Sequence, residues 1–582
     1  MLISLDGSCI LAAAYILGIG LHQTIFRYGE WDLHSFKILV AFSVVPIFLG
    51  TFLQSFHLPS RGKTTWESLE YSSVLVFIAI CGIFSSISVY RGWFHRLNEF
   101  PGPFLARFST FYMTFVNIAE ARGFKTTQAL HSKYGDIVRV GPRELSVANP
   151  EAFRAIHLSS SCGRGPWYNV TAPMISLQME RDVKRHGERR RAWDKAFDNR
   201  GKPDSQTYKK NKQLRAMLIP MCLSALGDYM TRVNAHTENF CAAIEDSVKN
   251  NTSLNVTKWI HLYSFDIMGD LAFGSSFDML QSGTFHYFFN LTHKTLELIA
   301  IFSRLVWLFP VVKAVPFLSN DYKSFRKWVG SHVQRRIAVP PPVRDIFSWI
   351  LNDYQRKQNP SWQDTENLYG DASLIVIAGS DTVAGTLICL LYHLASSPDV
   401  CKKLRDELHS CAKERADTEL RPDELAKLPY LQACIDETLR LWPAVVDGLQ
   451  RETPPEGLTI GTEKKSTWIP GNVIIKTPSY TLCRDPRAFS RPDEFIPERW
   501  TTEPELILDA SVYAPFSLGR FSCVGKRLAM VMMRRFISSI ILRYELEVLF
   551  KSAQDAFERQ VKEYFTLTPP DLQIRFIKGQ KG

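Results

Sequence analysis

Paired cysteines are missing from this chain. Its 11 cysteines are scattered through 582 residues with no metal-ligand spacing between them, which excludes a zinc finger or ribbon and argues for a reducing compartment over a disulfide framework. Sequons such as Asn169-Val170-Thr171 would stay unglycosylated there. A glycine-rich flavin or nicotinamide fingerprint is also lacking, as are internal repeats and low-complexity tracts. No Lys or Arg precedes Arg27, so the first apolar stretch lacks the basic start of a secretory signal. Acidic residues are in short supply, 58 against 69 Lys and Arg, for a formal charge of +11. That balance invites a nucleic-acid reading, but no nucleic-acid motif accompanies it, and no such partner is expected.

What is present falls into two parts. Apolar stretches near Ser8–Leu21, Ile38–Phe56 and Ser72–Tyr90 approach or reach the roughly 20 residues that cross a bilayer. Basic residues at Arg27 and Lys37, at Arg61 and Lys63, and at Arg91 and Arg96 favour an exterior N-terminus, three spans and a cytosolic remainder. Arg61 and Lys63 fit this least well, and two spans or a single anchor, with the other stretches lying in the interface, stay open. Pro101-Gly102-Pro103 then breaks helices on both sides and stiffens the junction. We read 1–97 as a membrane region with up to three transmembrane helices and 98–582 as one large catalytic domain.

Near the end stands Phe516-Ser517-Leu518-Gly519-Arg520-Phe521-Ser522-Cys523-Val524-Gly525, followed by a helical run from Lys526. Glycines free the backbone to turn amide N–H groups toward a sulfur, and the next helix adds a positive dipole end. Upstream, 372–391 is apolar nearly all round except at Asp381, with Ala378 and Gly379 on the face of Thr382, as in a helix through a large core. Glu437 and Arg440 lie three apart among apolar neighbours in a helix that Pro443 ends, and read as a buried ion pair. His186 and Arg190 share a helix face in 181–197, where Arg189 and Arg191 are expected to be solvated. Alone, Cys523 reads equally as a buried cysteine, and Thr382 as a core hydroxyl bonded back to its own helix.

In this order and spacing the motifs resemble the cytochrome P450 family from about Phe100 to the end, and in particular its filamentous-fungal microsomal members. The resemblance implies a mainly α fold with small β-sheets, preceded by N-terminal transmembrane helices. It implies haem b, iron protoporphyrin IX, with Cys523 as the axial iron ligand in a loop shaped by Phe516, Gly519 and Gly525. Thr382 and Asp381 become the catalytic pair that hydrogen-bonds bound oxygen and relays protons, while His186, Arg190 and Arg451 hold the propionates. Glu437 and Arg440, joined by Arg499 from Phe495-Ile496-Pro497-Glu498-Arg499-Trp500, form a structural lock. Three departures stand out. Phe521 fills the place two before the cysteine where relatives carry Arg, so Arg520 either bends back to the clamp or is not part of it. Cys483 replaces a common His, and Val383 a common hydroxyl.

By the same resemblance the chain is an endoplasmic-reticulum monooxygenase that oxidises an apolar small molecule with O₂. Its electrons come from a flavin-containing NADPH-dependent reductase, with cytochrome b5 as a second donor. Arg520, Lys526, Arg527, Arg534 and Arg535 are expected to face the donor. Substrate contacts are expected from Ser159–Ser176, Ile375–Ala378, Ala444–Leu449 with Asp447 able to meet a polar group, and Tyr564–Thr568. A fungal secondary metabolite (polyketide, terpenoid or alkaloid) ranks ahead of a fatty acid or xenobiotic. Alternatives are a haem-thiolate isomerase or dehydratase needing no reductase, and a non-catalytic haem-binding membrane protein. The Lys-rich polar run 201–213 has no hydrophobic period. It reads as a surface loop or, preferably, as a retained intron extending to about Cys222.

Overall fold

The computed structural model of the protein describes residues 7–55, 64–158, 161–197, 225–341, 343–413, 420–462, 465–549 and 554–579. The 201–222 segment lies outside the described residues.

The N-terminal stretches form helices α1 (Gly7–Leu21), α2 (Ser35–Ser55) and α3 (Thr65–Val89). They are long and apolar enough to cross a membrane, and little of their apolar surface is covered by protein. α3 starts seven residues before the apolar run because Thr64 and Glu67 make a reciprocal capping box. Glycine lets α1 and α3 touch: a Cβ at Gly18 would lie 1.9 Å from the Ala79 carbonyl oxygen and one at Gly82 2.2 Å from that of Tyr15. The turn between α1 and α2 reaches the catalytic domain. Glu30 there bridges Arg181 at 2.6 Å and Arg143 at 3.6 Å, and both arginines also meet Glu452. The Pro-Gly-Pro junction is clamped to a strand, the Arg139 N–H donating to the Pro101 carbonyl at 2.7 Å.

The remainder is mainly helical around one large apolar core. Of its helices, the site uses α4 (Val183–Ala196), α5 (Val256–Phe273), α6 (Tyr287–Ile301), α7 (Trp362–Ser396), α8 (Pro429–Leu441) and α9 (Lys526–Ile541). α7 also has membrane-like length and hydropathy, but 72% of its apolar window is buried inside the protein, so it is a core helix. Ser361 and Asp364 cap its start reciprocally. The largest sheet orders β1 (Ile137–Gly141), β2 (Glu144–Val147), β4 (Ile474–Lys476) and β3 (Arg451–Glu452). β2 and β4 run parallel and the other pairs antiparallel. Pairing with Ile475 fixes Arg451 in register, which carries its side chain into the interior, 2% exposed.

Candidate functional site

The loop before α9 is built around one obligatory glycine. Gly519 has φ +68°, and a Cβ there would meet the His157 carbonyl oxygen at 2.4 Å, so only glycine fits. Gly525 differs from expectation. It sits at φ −80°, where any residue is at ease, and a Cβ would lie an ordinary 3.8 Å from Cys523 Sγ. What Gly525 gives is its N–H. The Cys523 N–H donates to the Phe516 carbonyl at 2.8 Å and closes the loop. Cys523 presents open surface, yet protein encloses it closely enough that burial pushes its thiol pKa up. Against burial work the Gly525 N–H, the Arg190 guanidinium, and the N–H and ammonium of Lys526, all favouring thiolate.

Cations gather around Phe521. The guanidinium of Arg164 lies 4.2 Å from the ring centre, that of Arg451 5.0 Å and that of Arg520 5.9 Å, while the His186 ring meets its edge at 5.0 Å. Phe521 thus supplies a platform where relatives carry a charge, and Arg520 bends back toward the cluster. Arg164 is the residue that sequence reasoning misses. Its Nη1 donates to the carbonyls of Leu177 (3.0 Å) and Glu180 (2.7 Å). Burial, followed by the nearby arginines, pushes the His186 pKa down to about 3, so the imidazole is neutral at physiological pH. Arg164 Nε and Arg451 Nη2 are buried without hydrogen-bond partners. Buried cationic donors left over in this way call for anions, and the two propionates of a haem fit the requirement beside an enclosed thiolate. Arg190 is set differently. It donates to the Ser522 carbonyl and to Asp194, each at 2.7 Å, and so braces the cysteine loop.

Two expectations for basic residues fail. Arg189 is not solvated: it pairs with Asp371 on α7 at 2.8 Å and with Glu180 at 3.5 Å. Asp371 is buried and needs that cation. The signal was there, since 186, 189, 193 and 196 share one helix face and three of them are apolar or imidazole. Arg535 is buried against Glu238 at 3.6 Å and so does not belong to a docking face, while half-buried Arg534 is held by Gln432. Lys526 and Arg527 are exposed as expected.

On α7 Leu374, Ile377, Ala378, Gly379 and Thr382 keep partial exposure, whereas Ile375, Val376, Ser380, Asp381 and Val383 are buried. Gly379 leaves no room for a ligand, because Met268 of α5 fills its place, 2.4 Å from a notional Cβ. Thr382 Oγ1 donates to the Ala378 carbonyl at 2.7 Å, the plainer of its two readings. A hydroxyl has one proton and two lone pairs, so in this rotamer Thr382 can still accept. Asp381 is buried beside His293 at 3.3 Å. Val383 is buried in the core.

Glu437, Arg440 and Arg499 are fully buried and joined as expected. Arg440 grips Glu437 with two bonds of 2.8 and 2.9 Å, and Arg499 adds one of 2.9 Å. Trp500 Nε1 and the Ile496 N–H complete the carboxylate. Spare guanidinium donors go to carbonyls, including that of Cys483 at 2.8 Å, so the cysteine in the histidine place serves through its backbone.

The segments expected to touch substrate converge. Trp167 stacks on Phe565 at 4.9 Å, and the Leu567 N–H donates to the Ala444 carbonyl at 2.9 Å. Asp447, expected to meet a polar group, is already engaged by Lys476, Thr127 and Arg304. Its unforeseen neighbour is Glu563. Together they line a small cavity of ≈ 50 Å³ with Trp167 and Phe565. Burial and then Asp447 raise the Glu563 pKa to about 8, against Lys476 and Arg304. A carboxyl raised in the folded state stabilises below its unfolded pKa and loses that contribution as pH rises through the folded one. Thermal unfolding from pH 5 to 9 should therefore show the parent losing stability relative to Glu563→Gln. Parallel curves would refute the burial of this proton.

The sequence profile of the cytochrome P450 family matches residues 177–576. A cytochrome P450 monooxygenase, FCK2, of Fusarium pseudograminearum is 43% identical over 567 residues, covering 97% of each chain. The tryprostatin B 6-hydroxylase of Aspergillus fumigatus is 33% identical over 547 residues, 94% of this chain and 92% of its own. The crystal structure of a cytochrome P450, CYP102L1, superposes with a TM-score of 0.62 at 22% identity, covering 78% of this chain and 98% of that one. With its enclosed cysteine, its buried Glu-Arg-Arg lock and these likenesses, the chain belongs to the cytochrome P450 family and is a haem-thiolate monooxygenase of fungal kind.

Proposed function

We propose that this enzyme is held in the endoplasmic-reticulum membrane by α1 to α3 and hydroxylates an apolar secondary metabolite on the cytosolic side. The observation that carries the reading is Cys523, exposed at the head of α9, where the Gly525 and Lys526 N–H groups and the Arg190 guanidinium favour its thiolate against burial. Haem b is the cofactor that these residues would hold. When bound, it activates dioxygen with electrons delivered by a flavin-containing NADPH-dependent reductase or cytochrome b5, and a thiolate ligand favours O–O cleavage.

The chain's own residues do the rest. Arg164, Arg451 and His186 hold the propionates, and Arg190 keeps the cysteine loop in place. Asp381 passes protons inward. Thr382 accepts a hydrogen bond while bonded to Ala378, and by rotating away from that carbonyl it donates one into the cavity. Ile375, Val376 and Val383, all buried, keep the surroundings dry. Lys526 and Arg527, exposed beside the cysteine loop, present positive charge to an acidic donor. The turn bearing Glu30 faces the catalytic domain, which supports an exterior N-terminus with three spans. A relative named as a hydroxylase favours hydroxylation over isomerisation, as does retention of Asp381 and Thr382.

Comparing metabolites of strains with and without the gene tests the assignment: a precursor lacking one oxygen should accumulate on deletion, and identical profiles would refute it. With that precursor in hand, Thr382→Ala should lower product formed per NADPH on the order of 10²-fold and release the balance as hydrogen peroxide. Unchanged coupling would remove Thr382 from proton delivery.

A further inference from the structure

Three helices each leave one buried ligand atom unused at the same point. His261 Nδ1 from α5, His293 Nε2 from α6 and Asp381 Oδ1 from α7 are buried without hydrogen-bond partners. All three lie within 4.8 Å of one another, and the pair His293 Nε2 to Asp381 Oδ1 is 3.3 Å apart. Asp381 is 5% exposed, and its Oδ1 faces His293 Nε2 at 3.3 Å without an aligned hydrogen bond, so a group bridging the two would satisfy both. We propose that His261, His293 and Asp381 form a binding site for a divalent transition-metal ion of the zinc class.

Chemistry and geometry agree on that ion. Two imidazole nitrogens and one carboxylate oxygen suit Zn²⁺, Co²⁺, Ni²⁺ or Cu²⁺ rather than Mg²⁺ or Ca²⁺, which prefer all-oxygen shells. Around a tetrahedral zinc with bonds near 2.0–2.1 Å, ligand atoms stand roughly 3.3 Å apart. One pair already has that spacing, and side-chain movement of about 1.5 Å brings a separation of 4.8 Å to it. The imidazole planes are nearly perpendicular, at 88° with centroids 5.7 Å apart, so both lone pairs can converge without ring stacking. The side chain of His293 is 35% exposed, which gives an ion a way in. Three protein ligands leave a fourth position for water.

An ion at this point binds the carboxylate that the proposed function uses to pass protons, so zinc should slow turnover. That consequence rests on the proton role of Asp381; the site does not.

The test uses tag-free, haem-loaded full-length enzyme, treated with chelator and dialysed to equilibrium against Zn²⁺, with metal read by elemental analysis. One zinc per haem is expected. His293→Gln and His261→Gln should each weaken binding on the order of a hundredfold, since losing a direct ligand costs at least as much as losing a supporting one. An unaltered ferrous carbon monoxide spectrum in each variant certifies an intact fold. Failure of zinc to saturate at one equivalent, or equal affinity in parent and both variants, overturns the site and leaves the three atoms to a water. Saturable, ligand-dependent binding that does not slow turnover confirms the site and removes Asp381 from proton delivery. No zinc binding, with turnover still lost in Asp381→Asn, does the reverse.

Discussion

Replacing Cys523 by alanine will erase the thiolate signature of the ferrous carbon monoxide adduct and reduce turnover to background, a drop of at least about 10³-fold, or roughly 4 kcal/mol in barrier. The substitution is a clean probe because Cys523 is exposed. Few packing contacts are lost, and the loop stays closed through the Cys523 N–H to Phe516 bond and the Arg190 brace on Ser522. The haem should still be held through its propionates by Arg164, Arg451 and His186, so holoenzyme yield falls far less than activity. An unchanged spectrum in the alanine variant would end the ligand assignment.

Removing Glu437 will do the opposite, damaging the fold before the chemistry. Arg440 and Arg499 are each 0% exposed, and Glu437 receives five hydrogen bonds, from those two arginines, Trp500 and the Ile496 N–H. In Glu437→Ala two guanidinium groups remain buried around a missing carboxylate, at about 3–5 kcal/mol. Against a typical total stability of about 5–15 kcal/mol, that should eliminate most haem-loaded protein at 37 °C. Glu437→Gln keeps an acceptor and the shape but not the charge, and should fall between the two. Thermal unfolding and the haem-to-protein ratio give the measurement. An alanine variant melting within about 2 °C of the parent would show that the lock carries no load.

The contrast between these two predictions follows how each feature was written in the chain. Motifs confined to one helix or one loop were legible. The cysteine loop lies within ten residues and gained its reading from the other motifs in order, and Glu437 with Arg440 needed one helical turn. Arg499 came through the resemblance, and the structure places it where that implied. Features assembled across long sequence separations were not legible. Arg164 stands 357 positions before Phe521, on whose ring it lies, and no period or spacing connects them. The same holds for Trp500 on Glu437, Glu563 beside Asp447, and the His261, His293 and Asp381 trio. Arg189 and Arg535 fail for a different reason. Both were grouped with neighbouring charges along the sequence, whereas helix geometry turns each toward the core, where Asp371 and Glu238 wait.

The Glu30 bridge links the α1–α2 turn to the cation cluster around Phe521. Arg181, held by Glu30, also donates through Nε to the carbonyl of Arg164 at 3.0 Å, and Arg164 is the cation stacked on Phe521. Displacing the α1–α2 turn would thus reach Arg164 through a single intermediate, Arg181. A soluble enzyme cut free at residue 97 would lack Glu30 and leave Arg181 and Arg143 sharing Glu452 alone. The cation cluster around Phe521 would then lose one of the two carboxylates that hold Arg181.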